Sequence, residues 1–225
     1  MATYLDAILE RHRAESAADQ RDLGALRAAA EGHAPRGFAA ALAADPSHLS
    51  VIAEVKRRSP SKGALNEDLD PAALARDYEV GGARCLSVLT DGPGFGGSPA
   101  DLQAARAACS LPVLRKDFTV SERDVLDAAA MGADAVLLIA AALNLDELAS
   151  FASLAEQLGL DALLEVHDEG DLAALEVYPW KLVGVNRRNL ETFEVDDARA
   201  VALLPALPAA SIKVAESGVN GPADA

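Results

Sequence analysis

From residue 50 onward one pattern recurs, and it limits the fold more than any other feature: a short β-branched or Leu-rich run, a polar loop, then an Ala- and Leu-rich amphipathic helix. The apolar runs fall at 51–55, 85–89, 113–114, 135–139, 162–166, 182–185 and 212–215, which gives seven expected strands. Expected helices lie between them at 71–80, 99–108, 121–131, 145–158, 169–177 and 196–204. Gly82, Gly132 and Gly159 each stand just before the next strand, where a helix ending in the left-handed conformation calls for glycine. Strict alternation of this kind means parallel strands covered by helices.

The polar residues choose between an open sheet and a closed one. They stand at the C-terminal end of nearly every strand: Glu54 and Lys56, Thr90 and Asp91, Lys116 and Asp117, Glu165 and His167, Asn186 and Arg188, Glu216 and Ser217. An open doubly wound sheet gathers such residues near one switch point. A ring of them predicts a TIM (β/α)8-type barrel with its active site at the C-terminal face.

Before the repeat, residues 1–30 have helical period, with Leu5, Ile8, Leu9 and His12 on one face. A Gly- and Pro-containing segment at 32–37 and a short helix at 38–44 follow. The expected organisation is an N-terminal helical extension over 1–48 followed by a barrel over 49–225.

Composition narrows the function classes. The 225 residues carry 20 Lys and Arg against 35 Asp and Glu, a formal charge of −15, which removes the driving force for general nucleic-acid or anionic-membrane binding. An anionic ligand must therefore be held by local basic residues or backbone amides. Cys85 and Cys109 are too few for a disulfide framework and read as reduced thiols. No run approaches the roughly 20 apolar residues of a membrane span, and the acidic N-terminus lacks the basic start of a secretory signal. The expected compartment is the cytoplasm.

Residues two apart in a strand share a face, so Ile52, Glu54 and Lys56 point inward together, placing an acid and a base where an apolar barrel layer would otherwise lie. A structural ion pair is the plainer account of the two charges. Lys116 and Phe118 also share a face; a lysine among apolar walls loses basicity and trades protons near neutral pH, as a general acid does. Snorkelling to solvent explains a lone strand-end lysine equally well. Glu165 turns inward opposite the lysines as a candidate base, while His167 stays open between function and loop solvation. Asn186 and Arg188 offer an orienting amide and a guanidinium for carboxylate or phosphate, and Glu216 extends the acid/base set. Ser217-Gly218 reads either as a close backbone approach to an anion or as a plain turn.

Other motifs are missing. The glycines of 91–98 lack a P-loop ending and read as a flexible loop presenting Phe95. The histidines are scattered and neither cysteine stands at metal spacing from them, so no metal site is expected.

Six segments together resemble indole-3-glycerol phosphate synthase of tryptophan biosynthesis: Ala53-Glu54-Val55-Lys56-Arg57-Arg58-Ser59-Pro60-Ser61-Lys62-Gly63; Ser87-Val88-Leu89-Thr90-Asp91 with Phe95 and Gly97-Ser98; Leu114-Arg115-Lys116-Asp117-Phe118; Leu164-Glu165-Val166-His167; Gly184-Val185-Asn186-Arg187-Arg188-Asn189-Leu190; and Ala215-Glu216-Ser217-Gly218. The resemblance implies a cofactor-free conversion of 1-(2-carboxyphenylamino)-1-deoxyribulose 5-phosphate to indole-3-glycerol phosphate with loss of CO2 and water. It implies Lys116 as general acid, Glu165 as acid/base residue working with Glu54, and Lys56 on the substrate carboxylate or phosphate and in dehydration. Ser59, Phe95, Phe118, Asn186, Arg188, Glu216, Ser217 and Gly218 form the implied binding shell, with the two phenylalanines walling the anthranilate ring and Gly218 beside the phosphate.

The N-terminal helical extension also resembles the family's, which implies that it caps the barrel mouth. The family pattern continues after Gly218 through a further helix and an eighth strand with a Gly-rich phosphate loop, so this chain is expected to hold the start of that helix and seven of eight βα units. The intact family implies a monomer; self-association or impaired activity is the alternative for seven units. A phosphosugar isomerase, or a Schiff-base aldolase with Lys116 or Lys56 as nucleophile, is the competing enzyme class on the same fold.

Overall fold

A computed structural model describes residues 4–60, 62–189, 194–219 and 221. Ser61 and Leu190 of the motifs above, and the start of a further helix expected at the chain end, lie outside the described residues.

Three helices come first: α1 (Tyr4–Ala18), α2 (Leu23–Glu31) and α3 (Phe38–Ala43). β1 (Ile52–Val55) leads into a small hairpin, β2 (Arg58–Ser59) and β3 (Gly63–Ala64). Then strands and helices alternate: α4 (Pro71–Val80), β4 (Cys85–Leu89), α5 (Gly92–Phe95), α6 (Pro99–Ala108), β5 (Val113–Lys116), α7 (Glu122–Met131), β6 (Ala135–Ile139), α8 (Leu145–Gln157), β7 (Asp161–Val166), β8 (Leu182–Asn186), α9 (Asp197–Leu203) and β9 (Ile212–Glu216).

Seven strands pair in parallel in the order β1-β4-β5-β6-β7-β8-β9. Every residue of β4, β6 and β8 is buried, as expected of parallel strands covered on both faces. The sheet curls. In a flat sheet β5 and β9, four strands apart, would be separated by about 19 Å at roughly 4.8 Å per strand, yet Lys116 Nζ lies 2.8 Å from Glu216 Oε2.

The helices start and stop where the chain's chemistry allows. Asp70 caps α4 by accepting from the amides of Ala72 and Ala73, with Pro71 in the first turn. Asn144 and Glu147 form a reciprocal capping box on α8. Gly82, Gly132 and Gly159 have φ of +89°, +95° and +75°, the left-handed conformation their positions predicted.

Four local expectations need correction. The N-terminal helical stretch is two helices, because the Asp19 carboxylate accepts from the Arg21 amide at 2.9 Å and Asp22 caps α2, so local side chains compete with the helical ladder. The segment 91–98 is an ordered helical turn, with Asp91 accepting from the Gly94 amide and Gly97 lying hard against the Leu89 carbonyl. The piece expected as a helix at 169–177 is a 3-10 helix, Glu169–Glu176. Finally, β5, β8 and β9 run one or two residues further than expected. Lys116, Asn186 and Glu216 are thereby last rungs of the ladder, Lys116 opposite Leu89 and Asn186 opposite Glu216.

The N-terminal segment is tied to both ends of the sheet. At the mouth, the Arg11 guanidinium of α1 donates to Asp91 and Arg13 pairs with Glu147 at 3.0 Å. At the opposite end, Asp134 has a fully buried side chain that accepts from the amides of Arg36 (2.7 Å) and Val113 (2.8 Å) and faces Arg106 at 3.2 Å. Asp161 accepts from the Ala39 amide at 2.8 Å. Removing such an acceptor strands several buried donors at once. Asp134→Ala should cost about 3 kcal/mol in urea denaturation, and a loss below about 1 kcal/mol would mean that these donors find other partners.

Candidate active site

A cavity of about 610 Å³ opens at the C-terminal ends of the strands, within the range of small-molecule sites. All twelve residues singled out from the sequence line it: Glu54, Lys56, Ser59, Phe95, Lys116, Phe118, Glu165, Asn186, Arg188, Glu216, Ser217 and Gly218. Helix α1 closes one side with Tyr4, Leu5 and Ile8. The helical period marked Leu5 and Ile8 as one face, and only the family resemblance aimed that face at the mouth.

Lys116 stands at the centre. Its ammonium lies 2.5 Å from Glu165 Oε2 and 2.8 Å from Glu216 Oε2, so three strands meet on one charge. Burial by itself would lower the lysine pKa, but the two carboxylates outweigh it and hold Lys116 more firmly protonated than a lysine in water. The expected loss of basicity is thus corrected: the apolar walls are there, and so are two counter-charges.

The two acids differ. Burial pushes both upward, yet Lys116 and then His167 hold Glu165 well below the ordinary carboxylate range. At Glu216 burial prevails over the attraction of Lys116, helped by the negative charge of Glu165, and its pKa rises to about 7. One acid stays ionised and the other is poised to exchange a proton near neutrality.

Neighbouring groups orient this centre. The Asn186 amide donates to Glu165 Oε1 at 3.0 Å while its carbonyl accepts from the Ser217 hydroxyl (2.8 Å) and the Arg188 amide (3.0 Å). Behind Glu216 lies Gly184 of β8, where a Cβ would press into Oε1 and stand 3.2 Å from Cδ of the same carboxyl. The missing side chain gives the Glu216 carboxylate its place. Ser217 and Gly218 both have positive φ, +66° and +71°, and Arg187 grips the Ser217 carbonyl. Arg187 went unread because it falls between two inward-facing neighbours.

On the β1 side, the Lys56 ammonium donates to the Glu54 carboxylate, and Tyr78 donates to the Glu54 backbone carbonyl at 3.0 Å. Phe95 and Phe118 face each other with ring centroids 6.3 Å apart and a tilt of 39°. The His12 ring packs on Phe118 at 5.3 Å. His12, Asp91 and Asp117 bring one potential metal-ligand atom each within 4.8 Å. Those acids already answer cations, Asp91 facing Arg11 and Asp117 facing Arg115 at 3.0 Å, and the trio is best described as the clasp that fastens α1 to the mouth.

The family model for indole-3-glycerol phosphate synthase matches residues 5–225. Curated proteins named indole-3-glycerol phosphate synthase are similar throughout. The one from Aromatoleum aromaticum is 50% identical over 100% of this chain and 87% of its own length. That from Rhodococcus jostii is 52% identical over 99% and 83%, and that from Micrococcus luteus 50% over 98% and 85%. Among solved structures, an N-acetylmannosamine-6-phosphate 2-epimerase from Clostridium perfringens superposes with a TM-score of 0.54 at 12% identity, covering 68% of this chain and 70% of that one, a likeness of fold alone.

The raised Glu216 pKa sets a pH-dependent test of stability. Between the ordinary value of 4.5 and about 7 the folded chain keeps a proton the unfolded chain has released, so Glu216 lowers stability as pH rises through that window. Glu216→Gln should therefore be the more stable form at pH 8, by on the order of 1–3 kcal/mol, with the gap closing toward pH 4.5. Urea denaturation at both pH values measures this, and a pH-independent gap would contradict the assignment.

Proposed function

The chain belongs to the indole-3-glycerol phosphate synthase family, and we propose that its synthase chemistry is carried by Lys116, Glu165, Glu54 and Lys56 on seven units of a (β/α)8-type barrel capped by residues 1–48. The reaction is the closure of 1-(2-carboxyphenylamino)-1-deoxyribulose 5-phosphate to indole-3-glycerol phosphate, with release of CO2 and water. The observation that carries the assignment is the Lys116 ammonium held between Glu165 and Glu216 inside the cavity.

In the first step the ring carbon bearing the carboxylate bonds to the ribulose carbonyl carbon, and the carbonyl oxygen takes a proton from Lys116. An ammonium fixed beforehand in a water-poor pocket stabilises that developing negative charge most where it appears. CO2 then leaves and its bonding electrons return to the ring system. In the last step the new hydroxyl departs as water after taking a proton, assigned to Lys56, while a ring-side proton passes to Glu165. Glu54 steers the amine and the departing hydroxyl through its pairing with Lys56. Glu216, with its pKa near neutrality, is suited to restore the proton that Lys116 gives up.

Binding follows the charge map. The chain is acidic overall, so the substrate phosphate and carboxylate depend on local donors: Lys56 and Arg188, and the corner built by Ser217 and Gly218. Phe95 and Phe118 wall the aromatic ring, with Ser59 beside them and Asn186 orienting Glu165. Imine chemistry is disfavoured because it needs a neutral amine, whereas the two carboxylates keep Lys116 charged.

Lys116→Ala should lower indole-3-glycerol phosphate formation, followed by product fluorescence, by at least about a thousandfold while leaving the circular dichroism spectrum unchanged. Turnover like the parent's would exclude Lys116 as general acid. Borohydride added during turnover should trap no substrate on lysine, and a trapped adduct would favour the aldolase class.

A further inference from the structure

His167 stands one residue beyond the end of β7, is buried, and does not line the cavity. Its Nε2 lies 3.1 Å from Glu165 Oε1 and its Nδ1 lies 3.5 Å from Asp171 Oδ2. Asp171 is itself anchored, since Oδ2 also accepts from the His167 backbone amide at 2.7 Å. Each ring nitrogen therefore faces a carboxylate.

A neutral imidazole carries one N–H and one lone pair, so either tautomer would leave a lone pair on the side of a carboxylate oxygen; the imidazolium has no such lone pair and sets a positive charge between the two carboxylates. We infer that His167 is a positioning residue, an imidazolium at neutral pH lying between Asp171 and Glu165 that holds the Glu165 carboxylate ionised and turned toward Lys116. The catalytic part of this inference rests on the synthase reading; the charge state does not.

The surroundings agree with the geometry. Glu165 accepts hydrogen bonds from Lys116 of β5 on Oε2 and from Asn186 of β8 on Oε1, and the His167 ring stands within ion-pair distance of the same Oε1. Burial alone would drive His167 toward neutrality, but Asp171 and Glu165 raise its pKa to about 9. Other charged groups nearby are accounted for. Glu216 of β9 faces Lys116, and Glu147 at the start of α8 is paired with Arg13. The 3-10 turn Ala140–Ala142, packed on the 3-10 helix that carries Asp171, has no titratable side chain. Asp168, Glu169 and Asp196 line a shallow acidic cleft on the outer surface.

The function of this arrangement is to divide the charge of Glu165. Without a second cation on Oε1, that carboxylate would depend on Lys116 alone while feeling Glu216, and its pKa would rise. A protonated Glu165 cannot orient the ammonium or accept the ring-side proton. Removing the His167 charge must therefore move the acid limb of kcat to higher pH.

Two measurements test the inference. In the intact chain labelled with 15N-histidine, the His167 ring, identified by the peak that Asp171→Asn displaces, should show two protonated nitrogens at pH 7.5 and a midpoint near 9. A neutral ring at pH 7.5 would overturn the proposal, and this reading needs no synthase activity. In kinetics, His167→Gln should lower kcat about tenfold, leave KM within about twofold, and raise the acid limb by about one pH unit. His167→Arg, which keeps the charge, should return the acid limb toward the parent position. An unchanged acid limb in His167→Gln would refute the positioning role, as would one in Asp171→Asn should His167→Gln fail to fold. Loss of synthase activity from the parent chain itself would refute the functional reading and leave the imidazolium result standing.

Discussion

A buried ammonium must meet negative charge or lose its proton, and Lys116 meets it on two strands that do not adjoin its own. That requirement links the geometry of the sheet to the chemistry of the site. Glu165 and Glu216 reach the lysine only because the parallel sheet curls until the mouths of β5, β7 and β9 converge. β4, β6 and β8 are buried on both faces, which fixes their register, and the pairing places Lys116 and Glu216 on the final rungs of their ladders, with Glu165 one residue before the end of β7. The same convergence separates the two acids, since the second carboxylate to approach one largely buried cation finds less of its charge compensated.

Polar residues at the two ends of the sheet do different work. At the end away from the cavity, Asp134 and Asp161 accept from backbone amides and bind the N-terminal segment to the strands, with no path to the reacting groups. At the mouth, Arg11, His12 and Arg13 fasten α1 where its apolar side closes the cavity. One segment thus contributes stability at one end and a wall of the substrate site at the other. Cys85, whose thiol burial pushes up to about 12, belongs to the first category as a small apolar filler.

Much of this was legible from periodicity and punctuation. Helices α4 and α6 begin at the prolines that follow Asp70 and Ser98 and run to the residues the pattern indicated, because caps and first-turn prolines are local signals. The twelve cavity residues were found by strand alternation together with the quoted motifs, and they share one cavity. What could not be read was set by contacts distant in sequence. The basicity of Lys116 depends on carboxylates 49 and 100 residues away, and α1 reaches the mouth through an aspartate 80 residues on. The turn at 91–98 is an exception, held by the Asp91 cap and by the carbonyl of Leu89 just before it, both local contacts that a count of glycines does not reveal. His167 stayed open between function and loop solvation because the two carboxylates beside its ring, Glu165 and Asp171, are brought to it by the bend between β7 and the following 3-10 helix.

The contact between Gly184 and Glu216 bears on how such chains can be recombined. The two positions lie on adjacent strands and form one steric unit, in which any side chain at the first displaces the carboxylate of the second. A chimera whose crossover falls between them keeps its site only if both parents supply the same pair. A library that varies Gly184 alone will score as intolerant what is in fact a constraint set by the carboxylate of Glu216. Exchange blocks that carry β8 and β9 together avoid the problem.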